Sequence, residues 1–336
     1  MTSYTSSSDA VTRWGSVWLL ALLVTSVTVG LWELRARSAG LGPDYIDNRA
    51  LWADARHSLN SLGDTAIVLL GASRMQRAVD VETMSRSFDR PVVQLAVEGT
   101  SALALLENLA VDPRFRGTVI YSIAPAFSFN SALPRVATGK QAEWVQFYMD
   151  QSYSRRIEQR LRLFFQGLLA FRSPDAELTR VIPALFATGS LPTKDFKTTL
   201  ANRETLFDYT KMAVEHDEVG IAQFYLENTV PYADKELQLI INYFADLVRA
   251  LRQKGCDVYM LRLPSTKEVW ALESAFFPRA RFWDVMERRI DATFVHFEDF
   301  PGLTGYMSQD GSHIESTRVT EFTQELSRVL RANDLR

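Results

Sequence analysis

Cysteine is nearly missing from this chain: Cys256 stands alone among 336 residues. A single thiol excludes an internal disulfide framework and any zinc site built on several cysteines. Histidine is almost as scarce, with only His57, His216, His296 and His313, so imidazole chemistry has four candidates. Positive charge is not in excess either. The 37 Lys and Arg against 40 Asp and Glu leave −3, without the basic surplus on which general nucleic-acid binding draws. No internal repeat or low-complexity tract stands out, which sets aside repeat architectures. Apolar residues, by contrast, make up 47 % of the chain. That share suits a packed core rather than a disordered polymer, and the length allows one large domain.

What is present begins with a long uncharged run. Residues 14–32, WGSVWLLALLVTSVTVGLW, carry no charged side chain, and as a helix they would span about 28 Å, close to the hydrocarbon thickness of a bilayer. Trp14, Trp18 and Trp32 lie near its two ends, where indole rings favour the membrane interface. A cleaved signal peptide would have a shorter apolar stretch and a small-residue cleavage site, so the expectation is an uncleaved membrane helix behind a polar tail at 1–13. Flanking charge does not settle orientation, since Arg13 precedes the run and Arg35 and Arg37 follow it.

Residues 33–60 read as a linker and a short amphipathic helix closed by Gly63. From 61 to 336 the pattern becomes strand, helix, strand. TAIVLL (65–70), PVVQLAV (91–97), TVIYSI (118–123), CDVYMLRL (256–263) and ATFVHF (292–297) are short, nearly continuous apolar runs. Such runs suit parallel strands covered on both faces. Helical patterns at 101–110 and 236–255 separate them. The expected fold is a three-layer α/β sandwich with about five parallel strands. Residues 131–232 show helical patterns and turns but no clear strand, and read as a helical insertion between strands three and four.

In an open parallel sheet, functional groups gather beyond the carboxyl ends of the strands. The first strand is followed by Gly71-Ala72-Ser73-Arg74, the second by Glu98-Gly99-Thr100, and the last by Ser308-Gln309-Asp310-Gly311-Ser312-His313. A serine hydroxyl, a glycine amide and an Asp-x-x-His pair are thus predicted at one edge. A serine attacks poorly unless a base takes its proton, imidazole is matched to that task near neutral pH, and a carboxylate fixes the imidazole's tautomer. The amides of Ser73 and Gly99 are plausible donors to an oxyanion.

GASR, VEGTS and DGSH in this order resemble the sequence blocks of the SGNH/GDSL hydrolase superfamily, over roughly 60–130 and 235–333. The single apolar helix together with a Gly-x-Ser-Arg block is similar to membrane-tethered proteins of cell-envelope polymer modification, such as those of alginate O-acetylation and of teichoic acid D-alanyl transfer. The resemblance implies Ser73 as nucleophile, His313 as base, Asp310 as orienting acid and Gly99 as oxyanion donor, with no cofactor and no metal. It also implies an extracytoplasmic or periplasmic domain on the inner membrane, an envelope polysaccharide as acceptor, and a multispanning membrane acyltransferase as partner. The activity the resemblance implies is acyl transfer, of acetyl, with a membrane-tethered esterase or a non-catalytic assembly or glycan-binding subunit as alternatives. The chain departs from the family where typical members supply an oxyanion-hole asparagine after the third strand. Here the stretch is SIAPAFSFN, leaving Asn130 several residues late and Ser128 as a substitute.

The remaining candidates have plainer readings. Arg74 is expected beside the site, anchoring a carboxylate or contacting substrate. His296 reads as a strand residue with a satisfied ring, His57 as an exposed helix position, and His216 as a solvated residue of the insertion. Trp144, Phe147, Tyr148, Trp270 and Trp283 suit core packing, with a sugar-binding groove as the other reading. The basic segment YSRRIEQRLRLFFQ reads as an amphipathic surface helix, or as one that meets lipid headgroups.

Overall fold

The computed structural model describes residues 8–131, 139–211 and 217–335; His216, the first seven residues of the expected tail and residues 132–138 of the expected insertion lie outside them. The chain divides into two compact units, residues 1–45 with 162–195, and residues 46–161 with 196–336. Part of the expected insertion, 162–195, thus belongs to the first unit. The cause is local: the Glu33 carboxylate accepts from the amides of Ala170 and Phe171, and Ala36 packs with Leu41, Ala170 and Ala176. Those contacts draw part of the insertion onto the end of the first helix.

In the first unit the helix Ser8–Ser38 dominates, and its stretch Trp14–Ser38 is long and apolar enough to cross a membrane. A shorter apolar helix, Leu178–Thr188, belongs to the same unit.

The second unit holds a five-stranded sheet made of β1 (Ile67–Leu70), β2 (Val92–Gln94), β3 (Thr118–Ser122), β6 (Val258–Arg262) and β7 (Thr293–His296), in the order β2-β1-β3-β6-β7. All four pairings are parallel, with Ile67 opposite Val92 and Thr118, Val119 opposite Val258, and Tyr259 opposite Thr293. Each expected apolar run therefore carries a strand. Their continuity follows from coverage on both faces. Val68 and Leu70 enter one core with Trp52, Leu106, Ile241 and Phe244, while Ile67 and Leu69 enter another with Met75, Met84, Phe322 and Leu326. Each such side chain, fully buried, stabilises the fold by about 1.5–3 kcal/mol relative to exposure. The architecture is the expected three-layer α/β sandwich with a parallel sheet.

One element was not expected. Within the insertion, β4 (Lys197–Thr199) and β5 (Thr205–Phe207) form an antiparallel hairpin. Its turn carries Arg203, whose side chain is fully buried and paired with Asp47 at 2.7 Å. The guanidinium also donates to the carbonyls of Gln94 (2.8 Å) and Ala96 (3.0 Å), at the carboxyl end of β2. Gln76 completes the cluster by donating to the other Asp47 oxygen at 2.6 Å. A buried cation needs this many partners to offset lost hydration, and the arrangement fixes the hairpin beside the strand ends.

Candidate active site

The strand order reverses between β1 and β3, and in open α/β sheets a crevice forms at that switch point beyond the carboxyl ends. Here the crevice is a cleft of about 470 Å³. Ser73 and Arg74 reach it from behind β1, Glu98 and Gly99 from behind β2, Ala124–Phe127 from behind β3, and Asp310 and His313 from the loop behind β7.

Ser73 is the first residue of the helix Ser73–Ala78. The turn before it depends on Gly71, where an added Cβ would meet the Met75 Cβ at 2.9 Å and the Ser122 Cβ at 3.0 Å. Only a residue without a side chain lets the chain pass β3 so closely. The Ser73 hydroxyl lies 2.9 Å from His313 Nε2, and His313 Nδ1 lies 2.7 Å from Asp310 Oδ2. Because Asp310 is held ionised, it accepts only, so Nδ1 carries the proton and Nε2 is free to accept from Ser73. Two segments far apart in sequence, one at Ser73 and one holding Asp310 and His313, are thereby joined into one chain of hydrogen bonds.

The loop that supplies the acid and imidazole is tied together by hydrogen bonds to Asp310. The other Asp310 oxygen accepts from the Ser308 hydroxyl (2.9 Å) and from the amides of Ser312 (2.9 Å) and His313 (3.0 Å). Gly311 has φ +66°, and a Cβ there would meet Val269 at 2.8 Å, so the turn excludes other residues. Burial alone would raise the Asp310 pKa. The bonds from His313, Ser312 and Tyr209 outweigh it and hold the carboxyl well below its ordinary value. His313 also titrates low, first through burial and then through the Arg77 guanidinium, with Asp310 opposing. The imidazole is thus neutral at neutral pH, the form able to accept a proton.

Tyr209, which the sequence did not bring forward, donates to Asp310 Oδ2 at 2.7 Å. It follows the hairpin, which contributes two more groups. Lys197 pairs with Glu98 at 3.4 Å, and the Phe207 ring lies under Arg77 at 3.7 Å. Arg77 pairs with Glu98 as well and comes within 3.5 Å of His313 Nδ1. Since Nδ1 already donates to Asp310, that approach is a charge beside the imidazole rather than a hydrogen bond. Aromatic spacing and lone charges in an insertion read as ordinary surface or core, which is why these groups carried no sequence signal.

The other expected residues are placed as follows. The Ser73 and Gly99 amides donate to no other group among the described residues. Asn130 is a correction: it lies outside the cleft, buried, with its side-chain oxygen accepting from the Val230 amide at 3.0 Å and its amide near the Thr229 hydroxyl at 3.5 Å. Those bonds hold the returning insertion at a bridge between Asn130 and Pro231. Ser128 is buried and also off the cleft. Behind β3 the cleft wall is Ala124-Pro125-Ala126-Phe127, with no polar side chain. Arg74 touches the cleft, but its guanidinium is committed to Glu273 (2.6 Å) and the Ser312 hydroxyl (3.2 Å). Burial would raise the Glu273 pKa, yet Arg74 and Arg262 bring it down to about 2, so it stays ionised as an anchor.

His296 ends β7, buried, and accepts from the Glu298 amide at 3.3 Å. His57 is a second correction: it is half-buried, bonded to Gln151 at 2.9 Å and packed on Tyr148, because the helix Lys140–Met149 covers it. The five aromatics pack in or against the cores, and none lines the cleft.

No protein-family model matches this chain, and no curated protein matches it. Among solved structures it is similar to one described as "Crystal Structure of TesA", at 11 % identity over 80 % of this chain and 98 % of that one, with a TM-score of 0.36.

Proposed function

We propose that this chain is a membrane-anchored acyl-ester transferase of the SGNH type, moving a small acyl group such as acetyl to a hydroxyl of an envelope polysaccharide on the extracytoplasmic side. The observation that carries the reading is the continuous relay from the Ser73 hydroxyl through both His313 nitrogens to Asp310. A multispanning acyltransferase that delivers acyl groups across the bilayer is the partner this reading requires.

The geometry supports the following course. His313 Nε2 takes the Ser73 proton as Oγ attacks the acyl carbonyl, and Asp310 stabilises the imidazolium. The tetrahedral oxyanion is met by the Ser73 and Gly99 amides. Collapse breaks the bond to the donor's leaving group, which His313 protonates, and an acyl-serine remains. The acceptor hydroxyl then gives its proton to His313 and attacks the acyl-serine. A second collapse releases the ester and returns the proton to Ser73. Since a missing oxyanion donor typically costs about 100- to 1,000-fold, two amides without an asparagine suit a slow, specialised transferase. The cleft is lined by apolar side chains, among them Pro125, Phe127, Ile221 and Leu226, and by polar ones, among them Arg77, Glu98 and Ser312. A mixed lining of this kind accommodates an acyl group beside a hydroxylated acceptor.

The test is the fate of the acyl-serine. Protein loaded from a small activated ester should release its acyl group faster to added acetyl-accepting oligosaccharide than to water, giving an ester on the sugar. Release to water alone, unaffected by oligosaccharide, makes the chain an esterase. Glycan binding without any acyl-serine makes it a non-catalytic subunit.

The pH dependence has a defined sign. The working base is neutral His313, so kcat/KM falls as pH drops through its pKa, which burial and Arg77 hold below the ordinary imidazole value. Arg77→Gln removes a positive charge and leaves Glu98 nearby, so the acidic limb of the profile should move to higher pH. An unmoved limb would show that Arg77 does not act on the imidazole.

A further inference from the structure

The first unit exposes large apolar side chains that neither core absorbs. Phe164, Phe165, Leu178, Ile182 and Leu185 are all exposed, and Phe186 is 90 % exposed. The helix Leu178–Thr188 is apolar apart from Thr179, Arg180 and Thr188, with Arg180 paired to Asp175 and Asp195, yet at 11 residues it extends only about 17 Å, too short to cross a bilayer. Exposed aromatic and aliphatic groups at this density mark a contact surface.

The tie between this segment and the first helix identifies what covers the surface. Glu33, one residue beyond Trp32, accepts from the amides of Ala170 (3.0 Å) and Phe171 (3.1 Å), and Arg37 donates to the Leu168 carbonyl at 2.9 Å. Ala36 and Ala170 share a small buried core. The backbone at 168–171 is therefore fastened to the turn where the apolar span meets its first charges, which is the headgroup level if Trp14–Ser38 crosses a membrane. Arg35 and Arg172 are exposed at the same junction, as cations that favour lipid phosphates.

We propose that residues 164–186 form a second, interfacial attachment, with Phe186, Ile182 and the Phe164–Phe165 pair inserted among the lipid chains of the leaflet that the span enters at Glu33. The occupant is lipid, because the surface is joined by hydrogen bonds to a span whose own side chains are apolar and uncovered. A short apolar helix held flat at that depth buries its side chains at the boundary between headgroups and chains. This inference rests on the membrane-anchored reading and adds to it a fixed depth for the unit.

The experiment uses the full chain in phosphatidylethanolamine–phosphatidylglycerol vesicles. With the buried Cys256 changed to serine, a single environment-sensitive fluorophore is placed through Phe186→Cys, or through Leu22→Cys in the span, or through Val111→Cys on the exposed surface of the other unit. The Phe186→Cys label should emit at shorter wavelength than the Val111→Cys label, be quenched by lipids spin-labelled near the headgroup, and resist aqueous iodide. Iodide quenching equal to that at Val111→Cys overturns the proposal. So does protection from iodide without quenching by spin-labelled lipid, which would mean a protein covers the surface. If Leu22→Cys is also unaffected by lipid quenchers, the membrane reading itself falls; if Leu22→Cys responds and Phe186→Cys does not, only the second attachment falls.

Discussion

Ser73→Ala should lower turnover by about 10⁶-fold, the loss seen when the nucleophile of a serine triad is removed, while the thermal midpoint stays that of the parent chain. The two halves of this expectation come from the same contact. Among the described residues the Ser73 hydroxyl has one hydrogen-bond partner, His313 Nε2, so deleting it removes nothing that holds the fold. The imidazole keeps its place through Asp310 and the turn amides that fix Asp310. A residual rate would then come only from binding and from the two backbone amides. Initial-rate kinetics beside a thermal melt measures both. Activity retained within about tenfold would mean that another group attacks, and lost activity with a lowered melting point would mean that Ser73 is structural.

Asp47→Ala should destabilise the second unit by about 3–5 kcal/mol, as expected when one partner of a buried ion pair is removed. Arg203 is fully buried, and Asp47 is its only carboxylate partner among the described residues, meeting Nε at 2.9 Å and Nη2 at 2.7 Å. Two carbonyls would remain around the guanidinium, too few to offset its burial. The Arg203 pKa is already held below its ordinary value by burial, with Asp47 opposing, so the cation has little reserve. The effect should also reach the cleft, because Arg203 seats the hairpin that brings Lys197 to Glu98, Phe207 to Arg77 and Tyr209 to Asp310. Urea unfolding reports the stability loss, and a change of less than about 1 kcal/mol would place the pair among weak surface bridges instead.

The sheet was legible in the sequence because strands buried on both faces cannot alternate with polar residues, and each of the five apolar runs contains one. The relay was legible for a related reason. Glycines that no side chain could replace, at 71 and 311, stand beside the serine and the histidine they position. What escaped reading depends on contacts between distant residues. β4 and β5 have three residues each, too short to show a period. Arg203, Arg262 and Glu273 are charged and would be expected in water, yet each is buried against partners elsewhere in the chain. Tyr209 lies 101 residues from Asp310, and no local pattern announces that bond. The asparagine sought after β3 is replaced by an alanine and proline wall, while Asn130 closes the insertion.

Catalysis here requires Ser73 to be the activated hydroxyl, and mass spectrometry of the folded chain after treatment with a fluorophosphonate tests this most directly. The expected result is one phosphonyl group, mapped to Ser73, absent from Ser73→Ala and strongly slowed in His313→Ala. A phosphonyl group on any other residue, or an unmodified Ser73 in folded protein under prolonged treatment, would contradict it.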